Sequence, residues 1–178
     1  GDSNFNGLKK AYAAGIELEA RKNLFYFNDS DDNKLSAGLN LAYMKTSQEL
    51  NNEKIKRETD FSAQFTDEKS SFTGASEFLL NADVTYFKKW NEKDIIATIA
   101  YNYNSDKLYS IGTEQKGNLV DKGFGSLDFI FKTKLNKNFT LGFNAKNILN
   151  PAIERVQENK EQDILVRSFK LGRLFSAS

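Results

Sequence analysis

The stretch Asn138-Phe139-Thr140-Leu141-Gly142-Phe143-Asn144-Ala145-Lys146-Asn147-Ile148-Leu149-Asn150-Pro151 decides the fold. Phe139, Leu141, Phe143 and Ala145 alternate with Thr140, Gly142, Asn144 and Lys146. A strict period of two puts the apolar set on one face of a strand and the polar set on the other. The Lys146–Pro151 end then stops it, because Asn favours turns and Pro has no amide to give a ladder. Just before it, Asn136-Lys137-Asn138 is a turn short enough to fold the strand back on another alternating run.

The same unit recurs outward from this stretch. A first strand over 9–22 groups Tyr12, Ala14, Ile16, Leu18 and Ala20 against Gly15, Glu17, Glu19 and Arg21. A second over 35–47 groups Leu35, Ala37, Leu39, Leu41 and Tyr43 against Ser36, Gly38, Asn40 and Ala42. The third, 75–87, sets Leu80, Ala82, Val84 and Tyr86 against Asn81, Asp83 and Thr85. The fourth, 94–106, aligns Ile95, Ala97, Ile99, Tyr101 and Tyr103. The fifth, 123–136, places Leu127, Phe129, Phe131 and Leu135 opposite Asp128, Lys132 and Lys134. The opening stretch is the sixth, and a seventh begins in 172–178. Short polar turns at 23–34, 88–93 and 136–138 join the strands in pairs. The segments 107–122 and 150–171 read as long polar loops. The charged, nearly aperiodic 48–74 reads as a functional loop or as strand extensions into water.

All long loops therefore fall at one end of the sheet and all short turns at the other, the layout of an outer-membrane barrel. A soluble antiparallel sandwich also alternates, because one face of each sheet packs on a core. Strands well beyond the usual ~5–6 residues favour the barrel. So do polar faces fit for a wet lumen, and aromatics near strand ends (Tyr43, Tyr86, Trp90, Tyr101, Tyr103) that suit an interfacial girdle. On this reading Ile16, Leu18, Leu39, Leu41, Val84, Ile99, Phe129, Phe131, Leu141 and Phe143 face lipid. Glu17, Glu19, Arg21, Asn81, Asp83, Asp128, Lys132, Lys134, Asn144 and Lys146 face the lumen.

Composition closes other routes. The chain has 178 residues and a formal charge of +1, without the basic imbalance a nucleic-acid surface needs. One Pro, 15 Phe and 7 Tyr favour strands over linkers. No apolar run approaches the ~18 residues of a membrane helix, which says nothing against a barrel. With no Cys and no His, thiol chemistry and the usual general base and metal ligand are absent from this chain. The acidic run Asn28-Asp29-Ser30-Asp31-Asp32-Asn33 lacks the central Gly and distal Glu of a calcium loop and reads as a solvated turn. Glu17 and Glu19 lack the setting of an acid–base pair. Gly123-Phe124-Gly125-Ser126 opens a strand, so it is no dinucleotide fingerprint. Tyr101, Tyr103 and Tyr109 can stack on a sugar, although a girdle explains the first two. No catalytic residue, metal site or cofactor is expected. Gly1-Asp2 is unlike a signal peptide, so the chain is expected to be mature or cut from a longer one.

Several elements resemble the late barrel strands of TonB-dependent outer-membrane receptors, in the style of those from Bacteroidetes. They are Gly15-Ile16-Glu17-Leu18-Glu19-Ala20-Arg21-Lys22-Asn23, Phe78-Leu79-Leu80-Asn81, Lys146-Asn147-Ile148-Leu149-Asn150-Pro151, and Arg167-Ser168-Phe169-Lys170-Leu171-Gly172-Arg173 leading to Phe175-Ser176. The resemblance spans nearly the whole chain, and the Lys-Asn-Ile-Leu-Asn element followed by Gly-Arg is its most specific part. It implies an all-β, antiparallel transmembrane barrel of roughly 22 strands, with residues 1–178 supplying about seven C-terminal ones. About five further residues, ending in an aromatic, are expected after Ser178 by the alternation from Phe175 and Ala177. The plug domain and the segment that engages TonB would lie N-terminal to this chain. An open seven-stranded sheet leaves two bare edges, which hydrocarbon does not tolerate, so the rest of the barrel is an expected partner.

The implied function is energised uptake of a bulky, scarce ligand (an iron chelate, a glycan or a peptide) across the bacterial outer membrane. The implied partners are outer-membrane lipid, the receptor's own plug, TonB and, for a glycan, a surface lipoprotein. The alternative is a barrel that serves as a passive pore or as a structural subunit of a larger outer-membrane complex. An enzyme is the weakest reading, since Ser–His chemistry is unavailable here.

Overall fold

The strands meander, each laid antiparallel beside the one before it. The computed structural model describes residues 8–29, 31–50, 69–71, 73–113 and 116–178. Its strands are β1 (Leu8–Tyr26), β2 (Asn33–Leu50), β3 (Lys69–Ser70), β4 (Phe78–Trp90), β5 (Lys93–Asn104) and β6 (Lys107–Ser110). They continue as β7 (Leu119–Asp121), β8 (Phe124–Lys134), β9 (Thr140–Lys146), β10 (Ile153–Gln157), β11 (Ile164–Phe169) and β12 (Leu174–Ala177). Seven run side by side as β1-β2-β4-β5-β8-β9-β12, with β3 paired on the end of β2. The sheet is open, since β1 and β12 are its two edges.

The registers carry the alternation across strand boundaries. Val84 pairs with Ala37 and Ile99, Ile99 with Phe129, Phe129 with Ala145, and Ala145 with Phe175, one unbroken apolar row. One residue along each strand, on the other face, Arg21 pairs with Gly38, Gly38 with Asp83, Asp83 with Ala100 and Ala100 with Asp128. A slip of one residue would turn every side chain to the wrong face, so this pattern pins the register. The polar face is less uniform than its sequence suggests, because Leu79, Ile96 and Ile130 also lie on it, opposite Asn104, Phe87 and Asn144. A bulge between Asn23 and Phe25 switches the parity of β1, which brings the side chains of Asn23 and Tyr26 together at 2.7 Å.

The first two strands run past the sequence expectation, whereas β5 and β8 stop short of 94–106 and 123–136. β1 and β2 hold 19 and 18 residues, and β4 and β5 meet at a two-residue turn rather than across 88–93. Asn91 takes φ 52 in that turn, a left-handed backbone that Asn adopts readily. At the third hairpin the Asn136 side chain accepts bonds from the Asn138 and Phe139 amides at 2.8 and 3.0 Å, an Asx turn. At the 48–74 segment, β2 runs to Leu50 and β3 pairs back on it through Gln48 and Ser70, so its two ends are strand extensions. Its interior, 51–68, lies outside the described residues, as do Gly1-Asp2 and Ser30 of the acidic run.

The loops at 107–122 and 150–171 are not plain loops. They contribute β6, β7, β10 and β11 to a second, four-stranded sheet ordered β11-β10-β7-β6 above the long-loop end. Backbone polar groups of such long connections need partners, and pairing one loop with its neighbour supplies them.

No second layer covers the main sheet among the described residues. Among the described residues the buried apolar side chains are Leu108 and Ala145 alone. Ile16, Leu18, Val84, Ile99 and Leu141 stand exposed on the apolar face.

Candidate ligand-facing rim

The long-loop end is held in place by the segment that stops β9. Asn147 and Asn150 both take left-handed backbone, with φ 56 and φ 46. The Asn147 amide donates to Asp128 Oδ1 at 2.8 Å, and the Ile148 amide donates to the Leu127 carbonyl at 2.8 Å. Across 25 residues of chain, Asn147 Nδ2 donates to the Gly172 carbonyl at 2.7 Å and Arg173 Nε to the Ile148 carbonyl at 2.6 Å. The Gly172 amide, at φ 86, donates to Asn150 Oδ1 at 3.0 Å. The Lys146–Pro151 element and the Gly172-Arg173 lead-in to β12 are therefore one clasp, which pins the foot of the β10–β11 hairpin.

A second tie sits between the sheets. Lys122 Nζ donates to Asp106 Oδ2 and the Gly123 amide donates to Asp106 Oδ1 at 2.6 Å. Partial burial alone would raise the Asp106 carboxyl, but the Gly123 amide and the Lys122 ammonium outweigh it and hold it below its ordinary value. The hydrogen bond to Asp106 raises the Lys122 ammonium in turn.

Two hollows open at this rim. The larger, about 540 Å3, lies where β3 and the lead-in to β4 meet the loop sheet. Ser70, Ser71, Glu77, Tyr103, Asn118 and Glu158 line it together with Leu108 and Val120. The smaller, about 130 Å3, is walled by Asn104, Phe124, Ile153 and Phe169 and carries four cations, Lys107, Lys122, Arg155 and Arg167, against two carboxylates, Asp121 and Glu154. Arg155 grips Asp121 through both oxygens, Nε to Oδ1 at 2.6 Å and the second nitrogen to Oδ2 at 3.1 Å. Its guanidinium also stacks 3.2 Å from the centre of the Tyr109 ring, and the bond to Asp121 raises its pKa further.

Of the residues singled out in the sequence, the structure brings some together. Arg21 reaches Asp83 at 3.4 Å over Gly38, where a Cβ would stand 2.3 Å from the Asp83 carboxylate. Asn40 donates to Glu17 at 3.3 Å, and Asn144 to Ser176 at 3.5 Å. Asp128 is spent on the clasp. Glu19, Asn81, Lys132 and Lys146 stand exposed on the polar face, and Lys134 pairs with Asp94 and Thr140 in the ladder. Leu39, Leu41, Phe131 and Phe143 lie on the apolar face with Ile16, Leu18 and the rest, Phe143 stacking 6.5 Å from Phe175. Tyr109 holds Arg155, so its ring face is occupied on one side. Of the rim residues, Lys107, Asp121 and Arg155 lie in stretches read as loop and carried no motif, and Arg167 entered only as the first residue of the Arg167–Arg173 element of the family resemblance.

A meander of long strands with one apolar face, short turns at one end and folded loops at the other is the wall of a β-barrel. The profile of the family described as "TonB dependent receptor-like, beta-barrel" matches residues 1–148, and the chain belongs to that family. It is a family of outer-membrane transport receptors, not of enzymes, whose complete members carry a plug and engage TonB. No curated protein and no solved structure matches.

Proposed function

We propose that this chain is the C-terminal part of a roughly 22-stranded outer-membrane barrel that imports a bulky, scarce ligand with energy relayed by TonB. The carrying observation is the apolar face, continuous over seven strands and covered by nothing in the described residues. Exposed apolar patches of that extent mark a membrane or a partner surface. Ile16, Leu18, Leu39, Leu41, Val84, Ile99, Phe129, Phe131, Leu141 and Phe143 face lipid in this reading. Glu17, Glu19, Arg21, Asn81, Asp83, Asp128, Lys132, Lys134, Asn144 and Lys146 face the lumen, where the plug meets them.

The spacing of the aromatics supports it. From Phe78, beside Tyr103, to Tyr86, beside Phe27, is eight steps along β4. At ~3.4 Å per step and a tilt of 35–45° that is about 19–22 Å across the bilayer, close to the ~25 Å apolar band of such barrels. The short turns then lie in the periplasm and the loop sheet outside the cell. An iron chelate, a glycan or a peptide all suit a rim of this kind, a glycan calling for a surface lipoprotein as a lid.

The test is the mass of the native polypeptide, extracted from the outer-membrane fraction and run denatured. The proposal expects a mass several-fold above 20.2 kDa and near-silence of the purified protein in a planar bilayer. A native mass equal to this chain, or steady conductance, overturns it.

A further inference from the structure

The four-stranded loop sheet has two unlike faces. Leu108, Val120 and Val156 form a row on one, and Leu108 and Val120 share the larger hollow with Tyr103 of the apolar face. On the other, Lys107 pairs with Asp121, Asp121 with Arg155, and Arg155 with Arg167, a single cross-strand row. This row shares its hollow with Asn104 and Phe124, which oppose each other on the polar face of the main sheet. It therefore looks into the mouth of the barrel on the lumen side.

The row is unbalanced. Arg155 and Arg167 stand directly opposite each other, and like charges so placed are unfavourable. The carboxylate of the row is already taken up by the Arg155 fork. Lys107 and Arg167 make no ion pair among the described residues. Arg167 lies 4.5 Å over the Phe169 ring, a cation–π contact at the edge of the hollow. A volume of about 130 Å3 takes one small anionic group, since a water occupies about 30 Å3.

We propose that Lys107 and Arg167, backed by the Arg155–Asp121 pair, bind a carboxylate or phosphate group of the imported ligand. Lys107 and Arg167 line one hollow from the two outer strands of the loop sheet, so a point charge and a planar fork meet across it, a pair that suits either group. The site rests on the receptor reading, since it sits in the mouth through which that ligand would pass.

The full-length receptor, purified in detergent free of lipopolysaccharide, is titrated calorimetrically with tricarballylate and with inorganic phosphate. Saturable binding that weakens with added salt is expected. Arg167→Gln and Lys107→Gln should each weaken it about tenfold, the scale of one charged hydrogen bond. Lys160→Gln, which removes a charge from the exposed turn beyond β10, should leave it unchanged. Arg167→Lys, which keeps the charge and loses the fork, should fall between and carries the test if a Gln variant fails to fold. Absence of saturable binding, an equal loss in Lys160→Gln, or binding of lipid A but of neither soluble anion overturns the proposal. The assay requires neither TonB nor transport, so its failure leaves the receptor reading to the mass and conductance measurements.

Discussion

Asn147 is the residue on which the rim turns, because it combines a left-handed backbone with hydrogen bonds to both the β8 and the β12 ends. Asn147→Ala loses the side-chain bond and strains the backbone, and should destabilise the receptor by about 1–2 kcal/mol in urea unfolding. Asn147→Gly keeps the conformation and should lose less; identical losses would mean that the backbone is not the cause. Ion pairs divide in the same residue-by-residue way. Arg21 reaches Asp83 through one 3.4 Å contact with its side chain 69% exposed, so Arg21→Gln should change stability by less than ~1 kcal/mol. Arg155 has its fork on Asp121 and its face on Tyr109, with side-chain exposures of 19% and 22% for the pair, so Arg155→Lys should lower Tm measurably more than Arg21→Gln does. If the two variants melt alike, the loop sheet does not depend on that pair. The sequence marked Lys146–Pro151 as a strand stop and as the most specific part of the family resemblance. The partner of Asn147 is Gly172, 25 residues on, and spacing in one chain does not reveal a bond across that distance.

Among the elements, length decided what could be read. β1, β2, β4, β5 and β8 keep one parity over 11 or more residues, apart from bulges near the ends of β1, so their alternation was visible without any partner. β6, β7 and β10 hold four, three and five residues, and register shifts interrupt the pairing of β6 with β7 and of β10 with β11. Two periods of alternation are too few to stand out from a polar loop, and these strands exist because each finds a ladder in the neighbouring loop. The loop sheet should therefore behave as a separable unit. Val156→Asp places a charge in its apolar row and should speed amide exchange in β6, β7, β10 and β11 while leaving β4, β5 and β8 protected. Faster exchange throughout would show that the two sheets unfold together. Acid should act at the same place. The Asp106 carboxyl is held below its ordinary value of 3.8, so its contribution is present above that pH and is lost as pH falls through the lower folded value. Exchange in β6 and β7 should rise first in that acid range, and Asp106→Asn should abolish the rise. Lys122 runs the other way, its contribution being present below 10.5 and lost above its raised folded value.

For the whole molecule, the question is what covers a sheet that has an apolar face and almost no core. Net charge near zero and the absence of an apolar helix leave that open, because a barrel wall and one half of a sandwich have the same strand pattern. The fold tilts the balance, since the long-loop end folds into a sheet of its own and, among the described residues, nothing packs as a second layer on the apolar face. Lipid and lumen can then be told apart by the energy of a misplaced charge. Val84 and Ile99 are paired across β4 and β5 near the middle of the apolar face, and Asn81 lies on the other face of β4, three residues away. In refolding of the full-length receptor into phosphatidylcholine vesicles, Val84→Arg or Ile99→Arg should cost about 2–4 kcal/mol, the scale for Arg at the bilayer midplane. Asn81→Arg, in a wet lumen, should stay within ~1 kcal/mol of the parent receptor. The same Val84→Arg receptor refolded in detergent micelles, where the side chain finds water more easily, should recover much of the loss. Equal costs on both faces, or a larger one at Asn81, would place the apolar face against protein rather than lipid, and the barrel wall would then have to be read as the inner layer of a sandwich.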